Sequence, residues 1–215
     1  LIAGPTASGK SAAALALAQH IGGVVINADS MQVYREAPIL TAQPDGQART
    51  RVPHLLYGHV SARDVYSVGR YADDALRALH EARAMKKIPI FTGGTGLYFA
   101  ALTEGLAEIP PVPAEIRAEA RALLDRIGAP ALHARLAERD PQTAAQLRPS
   151  DPQRTLRAYE VLEATGRPLA HWQRDTAAPL LKDLSLARFV LNPERQVLRA
   201  RIAERFETMV DQGGL

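Results

Sequence analysis

Hydrophobic positions along the first hundred residues alternate between short continuous runs and helical spacing. Apolar runs at residues 1–3, 24–29 and 88–92 have the length of buried parallel strands. An Ala/Leu run at 12–20, and apolar residues three or four apart over 68–86, predict helices between them. This alternation predicts an α/β fold in which a parallel sheet is covered by helices on both faces.

Two further segments complete this first part of the chain. Residues 35–53 are polar and contain three prolines, which predicts a loop, and residues 54–60 are predicted to form a third strand. After the strand at 88–92, a glycine-rich turn precedes a helix predicted at 97–104.

The pattern changes at the proline-rich segment 109–113, and no strand is predicted from there to residue 182. Asp140–Pro141 and Asp151–Pro152 are typical N-cap and first-turn pairs, while Gly166 and Pro168 are typical of a helix end. We therefore predict an all-helical insertion at 109–183, with helices at 114–127, 130–139 and 152–165. A strand at 186–192 and a helix at 193–210 return to the core, which comprises 1–108 and 184–215.

Composition excludes several kinds of site and segment. The 215 residues include no cysteine, which excludes disulfides, thiolate catalysis and cysteine-based zinc sites. The absence of cysteine fits a cytoplasmic location, which we expect, and no apolar run is long enough to span a membrane. The net charge of +3 is too small for a polybasic tail, and a nucleic acid would need a shaped basic face. We also expect both ends to be trimmed, because the chain opens inside a strand and stops directly after a helix.

The first motif that carries chemistry follows the first strand. Residues 4–11 have the phosphate-binding pattern G-x-x-x-x-G-K-S between a strand and a helix: Gly4, Pro5, Thr6, Ala7, Ser8, Gly9, Lys10 and Ser11. The backbone N–H groups and the helix N-terminus attract an anion, Lys10 neutralises phosphate oxygens, and Ser11 holds a Mg²⁺ ion that bridges them. The alternative is a glycine-rich turn that only connects the two elements.

Asp29 is a second candidate, because it ends the next apolar strand. Parallel strands bring their carboxyl ends to one edge of the sheet, where ligands bind in open α/β folds. We therefore expect Asp29 at the same edge as Lys10, as a general base or a hydrogen-bond acceptor. The alternative is an Asp that caps the following helix.

Two further motifs are weaker evidence of function, because an ordinary structural role explains each of them equally well. Thr95 lies in the run Gly93–Gly94–Thr95–Gly96, where glycines permit a close approach to a ligand, but a plain strand-to-helix turn has the same composition. Arg154 and Arg157 share one face of a helix, which suits phosphate binding or an ordinary solvated surface.

Taken in order, the motifs resemble the tRNA dimethylallyltransferase family, also called tRNA isopentenyltransferases. The resemblance covers nearly all of the chain and rests on residues 4–11, Asp29–Ser30 with Tyr34, 93–98, 104–106, 151–154 and 201–206. Ser11 stands where many members of the family have Thr. The family is also longer at its C-terminus than this chain.

The resemblance implies a P-loop kinase-like core with a helical insertion that helps to clamp the anticodon stem-loop of tRNA. It implies Mg²⁺-dependent transfer of the dimethylallyl group of dimethylallyl diphosphate to N6 of adenosine 37, in tRNAs that read codons beginning with U. Diphosphate is the other product. We expect a monomer.

The resemblance also implies roles for individual residues. Residues 4–11 would hold the diphosphate, Asp29 would be the base, Thr95 would orient the nucleotide, and Lys10 and Arg201 would stabilise the leaving group. The implied tRNA contacts are Asp29, Ser30, Met31, Gln32, Thr95, Arg117, Gln153, Arg154, Thr155, Leu156 and Arg157.

Two other hypotheses remain at this stage. A small-molecule kinase that uses ATP would have the same phosphate-binding loop, there as a nucleotide-binding loop, and the same arrangement of strands and helices in its core. Its usual second strand acid is missing from the strands at 54–60 and 88–92, which disfavours it. An RNA-binding or scaffold protein with a degenerate loop is the third possibility.

Overall fold

The computed structural model describes residues 1–214. The chain forms two compact units, one made of Leu1–Glu104 together with the chain from Pro179 onward, and one made of Gly105–Ala178. The second unit begins and ends a few residues before the insertion predicted at 109–183.

A parallel sheet of five strands forms the centre of the first unit. The strands run in the order β3-β2-β4-β1-β5, and every pair is parallel. They are β1 (Ile2–Ala3), β2 (Gly23–Asn27), β3 (His54–Leu55), β4 (Ile88–Gly93) and β5 (Phe189–Val190). The helices of this unit are α1 (Lys10–Ile21), α2 (Gly46–Arg51), α3 (Val68–Ala84), α4 (Gly96–Thr103) and α9 (Arg195–Asp211). The predicted α/β class is confirmed.

The period of two along the central strands creates a core on each face of the sheet. Ile26 and Phe91 belong to a buried cluster with residues of α3 and α4. Their neighbours Val25 and Ile90 point to the opposite face and belong to a cluster with α1. Helices therefore cover both faces, as the hydrophobic pattern predicted.

Two local predictions in this unit were wrong. The third strand has only two residues because Leu56 adopts a left-handed conformation (φ 64°), which ends the extended backbone. The predicted loop at 35–53 contains α2, whose N-cap Asp45 accepts a hydrogen bond from the Ala48 N–H at 2.7 Å. The helix has only six residues and none of them is buried, so hydrophobic periodicity does not predict it.

The second unit is helical. It contains α5 (Ala114–Arg139), α6 (Pro141–Ala144), α7 (Pro152–Thr165) and α8 (Leu169–Trp172). Gly128 interrupts α5 with non-helical dihedral angles, which accounts for the two separate helices predicted there. The side chains of Asp140 and Asp151 cap α6 and α7, and Gly166 ends α7 in the left-handed conformation. Leu132, Leu136 and Val161 are fully buried in the core of this unit.

Helix α9, predicted at 193–210, has no buried residue along its length. Val197, Ile202 and Phe206 are all exposed. No helix within residues 1–214 combines the length and the apolar character needed to cross a lipid bilayer.

Candidate active site

The phosphate-binding motif forms a loop between β1 and α1. Ala7 (φ 61°) and Gly9 (φ 91°) both adopt left-handed conformations, which fold the loop back on itself. A Cβ atom at Gly4 would lie 2.7 Å from the Ser8 Oγ and 2.8 Å from the Leu191 carbonyl oxygen, so only glycine fits there. Within residues 1–214 no side chain caps the first turn of α1, which leaves the helix N-terminus to attract an anion.

Lys10 is held inside this loop. Its side chain is buried, and its ammonium group donates a hydrogen bond to the Pro5 carbonyl oxygen at 3.1 Å. Burial lowers the pKa of Lys10, the carboxylate of Asp29 opposes that effect, and the charge of Arg205 adds to it. Ser11 follows in the first turn of α1, where its side chain is exposed. A lysine and a hydroxyl in this arrangement suit a phosphate chain with a bound divalent cation.

Asp29 lies two residues beyond the end of β2. Its N–H donates to the Asn27 Oδ1 at 2.9 Å, and its own Oδ1 accepts from the Met31 N–H at 3.0 Å. Residues 30–36 form turns and one isolated β-bridge rather than a helix, so Asp29 is not the helix cap that was the alternative explanation. The carboxylate closes a local turn and keeps its Oδ2 for other contacts.

Gly94 links Asp29 to the phosphate loop. A Cβ atom at Gly94 would lie 3.4 Å from the Asp29 Oδ2 and 3.4 Å from the Gly4 carbonyl oxygen. The Gly4 N–H also donates to the Gly93 carbonyl oxygen at 3.3 Å. The carboxylate and the start of the loop therefore meet at one place on the carboxyl edge of the sheet, as the strand order predicted.

Thr95 contacts the same turn from the start of α4. Its Oγ1 accepts from the Ser30 N–H at 2.9 Å and donates to the Ser30 Oγ at 3.2 Å. The Thr95 N–H donates to the Ala28 carbonyl oxygen at 3.2 Å. The glycine-rich run is therefore more than a turn, because its threonine holds the segment that carries Asp29.

Two arginines of α9 differ in their relation to this site. Arg201 is exposed, and its Nη1 lies 3.5 Å from the Ala7 carbonyl oxygen of the loop. Arg205, one turn later, is half-buried; burial lowers its pKa and the charge of Asp29 opposes that shift. Electrostatics therefore couple Arg205 to both Lys10 and Asp29. Arg205 was not predicted as a site residue, although its spacing of four from Arg201 places both arginines on one face of α9.

A cavity of about 520 Å³ lies beside the loop. Its lining includes Ser11 and Arg205 at the loop, and it continues between α1, α2 and α9. Apolar side chains form much of the wall, among them Leu15, Ile39, Tyr57 and Met209. Tyr57 is buried, and burial raises the pKa of its hydroxyl, an effect to which the charge of Asp29 also contributes.

The remaining residues predicted to contact RNA in the first unit are Met31 and Gln32, and they differ in exposure. Met31 is exposed, with 58% of its surface accessible. Gln32 is buried, and its side-chain amide donates to the carbonyl oxygens of Thr41 and Ala42, both at 2.8 Å. Its side chain is thus committed to holding the loop before α2.

In the helical unit the predicted contacts lie on α5 and α7. Arg117, Gln153, Arg154 and Arg157 are exposed. Thr155 and Leu156, by contrast, are buried in the core of the unit because they lie on the inner face of α7. We therefore restrict the predicted side-chain contacts of this segment to Gln153, Arg154 and Arg157.

Comparison with known families and proteins identifies relatives over the whole chain. Residues 32–215 match the family described as IPP transferase, and residues 1–50 match that described as isopentenyl transferase. The tRNA dimethylallyltransferase of Azorhizobium caulinodans is 57% identical over all of this chain, which spans 69% of that protein. That of Nitrobacter hamburgensis is 54% identical, and the chain spans 68% of it.

Solved structures agree. A eukaryotic dimethylallyltransferase acting on tRNA superposes with a TM-score of 0.80 at 28% identity, over 99% of this chain and 52% of that one. The tRNA isopentenylpyrophosphate transferase of Bacillus halodurans gives a TM-score of 0.58 at 34% identity, over 99% of this chain and 65% of that one. With its phosphate loop, its Asp29 turn and these relatives, the chain belongs to the tRNA dimethylallyltransferase family.

Proposed function

We propose that this chain transfers the dimethylallyl group of dimethylallyl diphosphate to N6 of adenosine 37, in tRNAs that read codons beginning with U. One observation carries the proposal at the level of residues. Asp29 Oδ2 and the first residue of the phosphate loop approach the same point at Gly94. A carboxylate beside a phosphate site suits attack by an amine on a carbon that carries a diphosphate leaving group.

The transfer forms a bond between N6 of the adenine and C1 of the donor, and it breaks the bond between C1 and the diphosphate oxygen. The exocyclic amine is a poor nucleophile because its lone pair is delocalised into the ring. Asp29 accepts a proton from N6 as the new bond forms. Thr95 and the Asp29–Met31 hydrogen bond keep the carboxylate turn in place.

The leaving diphosphate gains negative charge during this step. The N–H groups of residues 4–11 and the N-terminus of α1 stabilise it, together with the ammonium group of Lys10. Arg205 adds a second, half-buried cation, and Arg201 a third at the surface of the loop. Fixed cations act more strongly here than in bulk water because the site is partly buried.

Mg²⁺ is the metal that this donor set fits. Ser11 offers an exposed hydroxyl in the first turn of α1, and Mg²⁺ typically combines few protein oxygens with substrate phosphates and water. When bound, the ion would neutralise charge on the diphosphate.

The cavity beside the loop offers a place for the hydrocarbon part of the donor. Ser11 and Arg205 belong to its polar end, and Leu15, Ile39 and Met209 to its apolar wall. Burial of a five-carbon chain against such a wall is favourable and requires no directional contact.

The acceptor adenine must leave its stack to reach Asp29, as in other enzymes that act on a base. Arg117, Gln153, Arg154 and Arg157 would bind the anticodon stem-loop from the helical unit through its phosphates. Because the loop, Asp29 and Thr95 all belong to one chain, we propose a monomer. A tRNA substrate is consistent with a cytoplasmic location.

The test uses the complete enzyme with Mg²⁺, labelled dimethylallyl diphosphate and unmodified tRNA. We expect label in the tRNA, and we expect Asp29→Ala to abolish transfer while donor binding remains close to that of the parent. ATP consumption with a small acceptor and no labelled tRNA would support a kinase instead. RNA binding without either reaction would support a scaffold. Loss of donor binding in Asp29→Ala would assign Asp29 to the metal site.

A further inference from the structure

Asn27 is the last residue of β2, and its environment is unusual for a polar side chain. It is fully buried. All of its side-chain hydrogen-bonding groups nevertheless point toward the turn that carries Asp29 and toward Leu56, the residue that follows β3. A buried amide needs such partners, because an unpaired one is costly.

The side chain of Asn27 holds both ends of the Asp29 residue. Its Oδ1 accepts from the Asp29 N–H at 2.9 Å, and its Nδ2 donates to the Asp29 carbonyl oxygen at 2.9 Å. The backbone of Asp29 is therefore clamped between two atoms of one rigid amide plane. With the Asp29–Met31 hydrogen bond, this leaves the carboxylate little freedom of position.

The same amide joins this turn to the wall of the donor cavity. The Nδ2 also donates to the Leu56 carbonyl oxygen at 3.1 Å. Leu56 is a bulky residue in the left-handed region, a conformation that needs support from its surroundings. Tyr57 follows directly and lines the cavity. Asn27 therefore fixes Asp29 and Tyr57 relative to each other.

The main chain of Asn27 is held as well. Its carbonyl oxygen accepts from the Tyr71 hydroxyl at 3.2 Å, a bond buried within the core. The Tyr71 ring stacks on the Tyr98 ring with 3.7 Å between centroids. The end of β2 is thus supported from α3 and α4 at once.

We propose that Asn27 is a positioning residue that sets the geometry of proton removal by Asp29. The inference rests on the proposed role of Asp29 as the base. The reaction rate is sensitive to a small displacement of the catalytic carboxylate. Binding of the donor, which other residues of the site hold, is not sensitive to that displacement. Asn27 should therefore affect kcat and leave the donor KM largely unchanged.

The adjacent strand supplies a matched control. Thr92 of β4 pairs with Asn27 in the sheet register and is equally buried. Its Oγ1 has no hydrogen-bond partner within the described part of the chain. Thr92→Val therefore alters a buried polar side chain at the same level of the sheet without removing a contact to Asp29.

The experiment measures transfer in the complete enzyme at saturating tRNA over a range of donor concentrations. For Asn27→Ala we expect kcat to fall about 10- to 100-fold, with donor KM changed by less than about threefold. Asn27→Ser keeps an oxygen that can accept from the Asp29 N–H, so it should recover part of the loss. Thr92→Val should keep the kcat of the parent. A folded Asn27→Ser variant keeps the test valid if Asn27→Ala does not fold.

A double-mutant cycle with Asp29→Asn separates a positioning role from a structural one. Single-turnover incubations with labelled donor measure the slow residual transfer rates of Asp29→Asn and of the double variant. If Asn27 acts through Asp29, the double variant should be no slower than Asp29→Asn alone. An equal additional loss in both backgrounds, or a parental kcat in folded Asn27→Ala, would overturn the inference. A parental rate in Asp29→Asn would instead refute the proposed role of Asp29 as the base, and the absence of labelled tRNA with the parent enzyme would refute the proposed function itself.

Discussion

The carboxyl edge of the sheet and the start of α7 are both predicted binding regions, but they are built differently. At the sheet edge, Lys10 and Asn27 are buried, and Gly4 and Gly93 leave no room for a side chain. At the start of α7, Gln153, Arg154 and Arg157 are exposed on a helix with an ordinary Asp–Pro start.

This difference follows from what each region must do. Chemistry on the donor needs groups fixed to within a fraction of an ångström, and a packed backbone provides that precision. Binding of RNA phosphates needs positive charge on a surface, and flexible arginines provide it at low cost. Single substitutions should therefore have large effects at the sheet edge and small, salt-dependent effects on α7.

Gly93→Ala should have the largest effect. The added Cβ would lie 2.0 Å from the Ala28 carbonyl oxygen and 2.1 Å from the Ala28 carbonyl carbon, so β2 and β4 must separate just before Asp29. We expect the free energy of unfolding to fall by about 3 kcal/mol, measured by urea denaturation, with a loss of transfer of more than about 100-fold. Gly96→Ala is the control, because its Cβ would have no atom within 4 Å. Equal stability of the two variants would contradict the packing argument.

Arg205→Gln should have the next largest effect. Loss of a half-buried cation beside the diphosphate should raise the donor KM about 10- to 100-fold, whereas loss of an exposed one should raise it about twofold. Arg201→Gln is the comparison, since Arg201 is exposed and contacts only the edge of the loop. Steady-state kinetics at saturating tRNA distinguish them. A larger effect for Arg201 would make it, rather than Arg205, the main arginine on the leaving group, as the family resemblance implied.

The sheet edge was also the region that sequence patterns predicted better. Residues 4–11 and Asp29 each follow an apolar run, and the rule that parallel strands share a carboxyl edge brought them together correctly. Thr95 was proposed from the weaker signal of its glycine neighbours. The signals of the phosphate loop and of Asp29 are strong because they depend on backbone geometry, which glycine and strand position reflect directly.

Properties that depend on tertiary packing were not predictable in the same way. Burial of Thr155 and Leu156 depends on which face of α7 meets α5, and burial of Gln32 depends on a loop that sequence periodicity does not describe. Arg205 differs from Arg201 only in how α9 lies against the loop. The contacts of Asn27 with Asp29 were not predictable, because a polar residue at the end of a strand has many possible hydrogen-bond partners.

The pH dependence of donor binding should sharpen the description of the sheet edge. Burial lowers the pKa of Lys10 from its ordinary value of 10.5, and only the protonated amine can pair with diphosphate. Affinity should therefore fall as pH rises through that lowered pKa, and binding should take up a proton in this range. Calorimetry in buffers of different ionisation enthalpy measures the uptake.

Lys10→Arg gives the control, because arginine stays protonated throughout this range. We expect its donor affinity to be lower than that of the parent at neutral pH but to change less, about twofold, over the alkaline range below pH 10.5 in which Lys10 loses its proton. The same alkaline decline in both proteins would assign the titration to another group.

The smallest effects should come from α7. The guanidinium group of Arg154 lies 3.6 Å from the Asp151 carboxylate and that of Arg157 lies 3.7 Å from the Glu160 carboxylate, and both arginines remain largely exposed. Either change to Gln should weaken tRNA binding about threefold and reduce the slope of log affinity against log salt by about one. Because these side chains belong to the helical unit and not to the sheet edge that carries Lys10 and Asp29, kcat at saturating tRNA should not change. Arg174 is another exposed arginine of this unit, and Arg174→Gln should leave the salt slope unchanged. A fall in kcat for Arg154→Gln would show that α7 positions the reacting base as well as the RNA backbone.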